Sequence, residues 1–421
     1  MSDDAFDVIV IGGGPGGSCA ATMLARAGRR VLLLEREVFP RFHIGESLLP
    51  YNHAIFEELG LLPALRQAGF PTKRGAQFHL GDGSKGTAFV FRNGRFTRHP
   101  EAFQVERSRF DEILLRHAAA SGAEVREGFS VRRAANDAER VEVEGTARDG
   151  AAATFRARFL VDATGRDNLT GNRDGVREMN PKLRKLAVFA HFSGVRLDPG
   201  GPAGDTVIVR LENKWFWLIP VGDDKVSVGV VMDRDEFAAA KSTPAAVFER
   251  WRDAALPVKA RLADARRLTE YHVTSDWSYS NRSFHGPRLV RVGDAAGFID
   301  PIFSSGVFLA MHSARIAARA ILDALARRTD GSEAFRRYET RMRAAFGIYS
   351  EMVGHFYTTP FMELFLEPRN KWDLASAVNA VLAGELEGGW RLRWRMRLFF
   401  LLVRLQARRP FMPRIAFAPV P

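Results

Sequence analysis

Gly12-Gly13-Gly14-Pro15-Gly16-Gly17 fits the pattern G-x-G-x-x-G, and Glu35 follows 23 residues after Gly12. Glycines at this spacing each have a mechanical task. Gly12 would make a tight turn, Gly14 would let the backbone approach a pyrophosphate, and Gly17 would let a helix pack closely on a strand. The N-terminus of that helix would face phosphate charge. An acid at the distance of Glu35 accepts hydrogen bonds from ribose hydroxyls. The flanks agree: Asp7 to Ile11 reads as a buried strand, Ala20 to Ala27 as an apolar helix and Arg30 to Leu34 as a second strand. Together they describe a dinucleotide site. No second fingerprint of this kind follows a strand.

Three other segments carry chemistry. Lys214-Trp215-Phe216-Trp217-Leu218-Ile219-Pro220 reads W-x-W-x-I-P. Side chains alternate along a strand, so both indoles share one face, and the proline is expected to end the pairing. Indoles are bulky, rigid and nearly free of donors, which suits a wall or simply a core. Gly297-Phe298-Ile299-Asp300-Pro301-Ile302-Phe303-Ser304-Ser305-Gly306-Val307 leads into a helical pattern from Gly306 to Leu325. Successive backbone N–H groups at such an entry can hold an anion. Lys73 stands in Gly69-Phe70-Pro71-Thr72-Lys73-Arg74-Gly75-Ala76-Gln77-Phe78. Buried against aromatics, it would lose its proton readily; the charge of Arg74 beside it leaves a solvated surface position as the lesser alternative.

Phe159-Leu160-Val161-Asp162-Ala163-Thr164-Gly165, Leu289-Val290-Arg291-Val292-Gly293-Asp294 and Val105-x-Arg107-x-x-Phe110-Asp111 accompany the fingerprint. This set resembles the p-hydroxybenzoate-hydroxylase-like flavoproteins. The tryptophan pair, the Phe298…Pro301…Ser304…Gly306 spacing and the K-x-G-A-x-F run from Lys73 to Phe78 resemble the flavin-dependent halogenases of phenol and pyrrole type. The resemblance covers about residues 5–325 and implies an α/β fold. It would have a Rossmann-like FAD-binding domain, a second, mostly antiparallel sheet domain and a helical C-terminal tail. The expected division is 1–325 and 326–421, with the second sheet mainly from 76–105 and 180–280.

The resemblance also implies roles. Gly12, Gly14, Gly17, Glu35, Arg107, Asp294 and Gly306 would contact FAD, as would Glu46 and Ser47 in the turn His43-Ile44-Gly45-Glu46-Ser47. Trp215 and Trp217 would separate the flavin from the organic substrate. The amides of Ser305 and Gly306 would hold chloride or bromide. Lys73 would be catalytic, either hydrogen-bonding hypohalous acid or forming a haloamine with it. Reduced FAD would come from a separate flavin reductase, since the chain has no nicotinamide site of its own. Phe303 stands where tryptophan halogenases have a glutamate, which argues against free tryptophan and for a phenol or pyrrole. The same fold also serves hydroxylases and geranylgeranyl-reductase-like reductases.

The elements that must position these residues alternate between strand and helix through residues 5–75, turn strand-rich over 76–105 and 180–235, and return to the nucleotide domain over 281–325. The 421 residues, 46% hydrophobic and 26% charged, suffice for a large core. Cys19 is alone, so no intrachain disulfide forms. The longest apolar run, Leu398 to Val403, is too short to span a bilayer, and no signal segment opens the chain; a cytoplasmic location is expected. A net charge of +12 attracts anionic partners, but zinc spacings and RNA-binding motifs are absent, so nucleic acid is not expected. Trp390-Arg391-Leu392-Arg393-Trp394-Arg395-Met396-Arg397-Leu398 alternates with period two, as a strand would, while Phe399 to Arg409 reads as helix. The whole segment is expected to be helical. Its arginines would be a solvated face, a dock for an acidic acyl or peptidyl carrier protein, or a membrane-surface contact.

Overall fold

The computed structural model describes residues 6–197, 204–275, 278–369, 371–386 and 389–417. Parts of the expected second-sheet region, 198–203 and 276–277, lie outside the described residues.

Phe6–Ile11 and Val31–Leu34 are nearly unbroken apolar runs, buried on both faces as parallel strands require. They form the centre of a parallel sheet ordered Leu289–Arg291, Ala152–Asp162, Phe6–Ile11, Val31–Leu34, Glu124–Arg126. The helix Pro15–Arg26 follows the first strand directly, with Pro15 at its first position. It packs against the helices Arg107–Ala120 and Ser305–Arg327. Phe129–Asn136 pairs antiparallel with Val141–Ala147, which in turn pairs antiparallel with Ala152–Asp162, a meander that the motifs did not indicate.

The second sheet runs Arg266–Arg267, Lys185–Ser193, Lys225–Asp233, Trp215–Gly222, Thr206–Arg210, Gly75–Leu80, Gly86–Val90. All its pairs are antiparallel except Thr206–Arg210 with Gly75–Leu80. Period-two alternation divides its faces. Phe216, Leu218, Val207 and Val209 pack under the helix Pro244–Ala254, around Phe248 and Trp251. Trp215, Trp217, Ile208 and Phe189 join the main core instead.

Pro220 does not end the pairing. The tryptophan strand continues to Gly222, and Pro220 lies opposite Val226 just before a register shift. On its other side the ladder with Thr206–Arg210 has already finished at Leu218. Among the described residues Pro220 is therefore paired on one side only, and proline is tolerated at such a position.

Residues 332–417 are mainly helical. Ser332–Phe356 lies along Ser305–Arg327, and Thr359–Phe365 places Phe365 against Phe78 and Phe89, with ring centroids 4.7 and 4.9 Å away. Gly389–Arg408 is one helix. Leu392, Met396, Phe399, Phe400 and Val403 form its buried stripe, while Arg391, Arg393, Arg397, Arg404 and Arg408 face outward. Among the described residues no helix is long and apolar enough to cross a membrane.

Candidate active site

The fingerprint turn is closed as its glycines demand. Gly12 has φ +104°, and a Cβ there would lie 2.3 Å from the carbonyl oxygen of Ala163. A Cβ on Gly17 would lie 1.8 Å from the oxygen of Gly12. Glu35 is buried at the end of the second strand; its Oε2 accepts from Gly13 N at 2.6 Å and its Oε1 from Glu37 N at 2.9 Å. A cavity of about 1080 Å³ opens from this turn and runs between the two sheets. Gly12, Gly14, Glu35, Glu46, Ser47, Arg107, Asp294 and Gly306 all line it, as do both tryptophans. Gly17 lies behind the turn.

These residues fit FAD. The closed glycine turn leaves the first helix's N-terminus facing the cavity. Glu46 Oε1 meets His191 Nε2 at 2.7 Å, but Oε2 has no hydrogen-bond partner among the described residues. Burial pushes the Asp294 carboxyl up to about 6 despite the nearby charges of Arg166 and Arg107. Arg107 is held rigidly: its Nε and Nη2 donate to the two oxygens of Asp111, and Nη1 donates to the carbonyls of Ile44 and Gly45. Arg41 was not marked by any motif. It pairs with the same Asp111 at 3.1 Å and stands 3.6 Å from where a Gly14 Cβ would be, so a cation flanks the turn.

At the far side of the cavity, Trp215 and Trp217 stand with ring centroids 5.9 Å apart. Trp217 Nε1 donates to Ser227 Oγ at 3.1 Å. Gly229, opposite Trp217 in the next strand, leaves room for the indole: a Cβ there would come within 2.3 Å of Trp217 Cζ2.

Lys73 is 2% exposed. The competing surface reading fails because Lys73 and Arg74 point opposite ways. Arg74 goes out to Glu101 at 3.0 Å, while the Lys73 amine goes in, donating to Ser47 Oγ at 2.9 Å and to the Leu48 carbonyl at 3.2 Å. It lies 5.6 Å from the centre of the Phe91 ring. Burial lowers its pKa to about 7, opposed by Asp205. Lys73 itself does not line the cavity, but Ser47 and Thr206 do.

The loop before Ser305–Arg327 is held by its own first residue. Asp300 Oδ1 accepts from Ile302 N at 3.0 Å and caps the turn Pro301–Phe303. Ser304 then takes a left-handed conformation, φ +55°, and the helix begins at Ser305. The first amides of that helix have no intrahelical acceptor. A Cβ on Gly306 would lie 3.3 Å from Phe298 Cε2, so glycine lets the ring cover this entry. Phe303 is buried against Phe356, with centroids 5.7 Å apart, so no carboxylate stands at that position. Sequence reasoning missed Tyr357, whose hydroxyl donates to Asp300 Oδ2 at 3.0 Å. Burial pushes the Asp300 carboxyl up to about 6.

A family model described as an FAD binding domain matches residues 5–347. A 1H-pyrrole-2-carbonyl-(peptidyl-carrier protein) chlorinase of Pseudomonas fluorescens is 31% identical, over 93% of this chain and 92% of its own length. A tryptophan 2-halogenase of Chondromyces crocatus is 34% identical, over 83% of this chain and 67% of its own. Among solved structures, the myxobacterial chondrochloren halogenase, an FAD-dependent enzyme, superimposes with a TM-score of 0.79 at 34% identity, over 95% of this chain and 97% of its own.

Proposed function

The chain belongs to the flavin-dependent halogenases, and from that premise we propose that its substrate is a phenol or pyrrole ring carried on an acyl or peptidyl carrier protein. FAD is the cofactor and halide the second substrate. When bound and reduced, FAD supplies with dioxygen the oxidising power that turns chloride or bromide into hypohalous acid.

The remaining work falls to side chains and amides of this protein. Gly12, Gly14, Gly17, Glu35, Arg107 and Asp294 hold the cofactor, with Glu46 and Ser47 on the turn beside it. The Ser305 and Gly306 amides hold the halide at the helix entry. Trp215 and Trp217 keep the organic ring out of the cofactor cavity. Lys73 receives the oxidant and delivers the halogen. The observation that carries this reading is the burial of the Lys73 amine, with two of its N–H bonds directed to Ser47 and Leu48 and its pKa lowered to about 7. An amine so poised is partly neutral near neutral pH, which either form of halogen delivery can use.

Phe303 supports the substrate class, since electron-rich rings need less help from a base in electrophilic substitution. Identity alone does not separate substrates, because the names of the two relatives specify a carrier-bound pyrrole in one case and tryptophan in the other. The carrier-bound reading draws on the first of them and on the outward arginines of Gly389–Arg408, which suit an acidic carrier. Reduced FAD comes from a partner reductase.

The test supplies reduced FAD, oxygen and bromide with a phenol or pyrrole acid, free and loaded on a carrier protein. Brominated carrier-bound product, found by mass, supports the proposal. Halogenation of free tryptophan in preference to either ring would overturn the substrate class.

A further inference from the structure

Ser47 lies between the Lys73 amine and the cofactor cavity. Its Oγ is 2.9 Å from Lys73 Nζ and 2.9 Å from Thr206 Oγ1. Thr206 is fixed from behind by Gln104, whose Nε2 reaches both Thr206 Oγ1 and the Gly204 carbonyl at 2.9 Å. A carbonyl only accepts, so the Gln104 atom facing it must be the amide nitrogen, and Thr206 receives an N–H.

The hydrogens of this group can then be counted. Lys73 gives one N–H to Ser47, Gln104 gives one to Thr206, and the contact between the hydroxyls consumes one of their two O–H bonds. One O–H is left over whichever hydroxyl donates to the other. Ser47 and Thr206 are both lining residues of the cavity, whereas Lys73 is not. We propose that Ser47, with Thr206 as its fixed partner, is the relay through which Lys73 gives up and regains its proton across the wall of the cavity. The surplus O–H proton passes to hydroxide or water in the cavity, and Lys73 passes an ammonium proton to the hydroxyl pair. The neutral amine then accepts a hydrogen bond from Ser47. Charge and protons balance as ammonium plus base giving amine plus conjugate acid, with no oxidation or reduction.

This inference rests on Lys73 being the receiving amine, and Lys73→Ala is the control for that. The chain has nine lysines, few enough for the Lys73 Nζ and Cε signals to be assigned by comparison with Lys73→Arg. In Ser47→Ala the ammonium loses an acceptor that favours its charged form, so its titration midpoint falls below that of the wild type. More of the amine is then neutral at pH 7, yet halogenation falls by about a hundredfold, within the range for loss of a proton-transfer group. Exchange of the Lys73 Nζ protons with water slows in the protein with and without FAD, which separates the relay from any change in FAD affinity at the Ser47 turn. Thr206→Val, which removes the partner hydroxyl, slows Nζ exchange as Ser47→Ala does, and Thr206→Ser, which keeps it, does not. Wild-type halogenation in Ser47→Ala, or a loss that follows FAD affinity alone with Nζ exchange unchanged, would overturn the relay. Normal halogenation by Lys73→Ala would instead remove the premise.

Discussion

The indole Nε1 of Trp215 donates to the phenol oxygen of Tyr357 at 2.9 Å, across 142 positions of sequence. Tyr357 passes the connection on to Asp300, which caps the turn before the proposed halide site. One hydroxyl therefore joins the paired tryptophans, the C-terminal helices and the loop that leads to Ser305 and Gly306.

Removing that hydroxyl strands two buried groups. Tyr357→Phe leaves the Trp215 N–H and Asp300 Oδ2 without this partner, at a cost of about 1–3 kcal/mol in stability. The tyrosine hydroxyl also favours the charged carboxylate of Asp300, so its loss moves that carboxyl further up. Thermal unfolding should shift down, and the halide concentration for half-maximal turnover should rise while FAD affinity holds. An unchanged halide response would dissociate this chain of contacts from the halide loop.

Replacing Lys73 by alanine should abolish halogenation and leave oxidation of reduced FAD at its normal rate, because Lys73 is not among the residues that line the cavity opening from the glycine turn. Product is read by mass and flavin oxidation by absorbance. Halogenation persisting in this variant would disprove the role of Lys73.

In wild type, halogenation should rise as pH increases through about 7, where the buried ammonium releases its proton. The same shift acts on stability. The folded pKa is lowered, so between about 7 and 10.5 the unfolded chain holds a proton that the folded chain has lost. Unfolding free energy should therefore increase with pH across that window, relative to Lys73→Met. Denaturant titrations of both proteins at pH 6.5 and 9.5 measure the difference; equal pH slopes would count against the shift.

Gly229 is a sharper probe of the wall than the tryptophans themselves. Gly229→Ala forces its methyl to within 2.3 Å of Trp217 and 2.6 Å of the Phe189 Cβ. Overpacking of this kind costs about 1–3 kcal/mol and displaces the indole. The expected result is altered tryptophan fluorescence and fewer halogenated products per reduced FAD consumed. A coupling ratio like that of the wild type would show that indole placement does not govern product yield.

The outward face of the last helix is tested by charge reversal. Arg393→Glu with Arg397→Glu should raise KM for a carrier-bound ring by about tenfold and leave the free ring unaffected, because only the carrier meets that face. Loss of binding to anionic vesicles, with no change toward the carrier, would reassign the face to a membrane surface.

The nucleotide site was legible because each of its parts has a local signature: a glycine without room for a Cβ, a strand before it and an acid after it. The burial of Lys73 was less so. Arg74 beside it suggested a wet surface, yet neighbours on an extended chain point to opposite sides, and only the fold says which is inside. Pro220 was misread because its tolerance depends on where the neighbouring strand stops, which is not written near it. In residues 390–398 the period-two arginines by themselves suggest a strand, but the expected helix forms, and its buried stripe, Leu392 to Val403, emerges only over a longer window. Gly229, Thr206 and Tyr357 gave no signal at all, for each acts on a partner brought to it by tertiary contact.

Phe365 rests on Phe78 and Phe89, and Phe356 rests on Phe303. A chimera that exchanged only the last ninety residues between two such enzymes would seat foreign rings on both surfaces at once. The interchangeable piece is thus discontinuous: tail, strands Gly75–Leu80 and Gly86–Val90 and the Asp300 loop must travel together, and recombination points drawn by sequence position alone would cut through it.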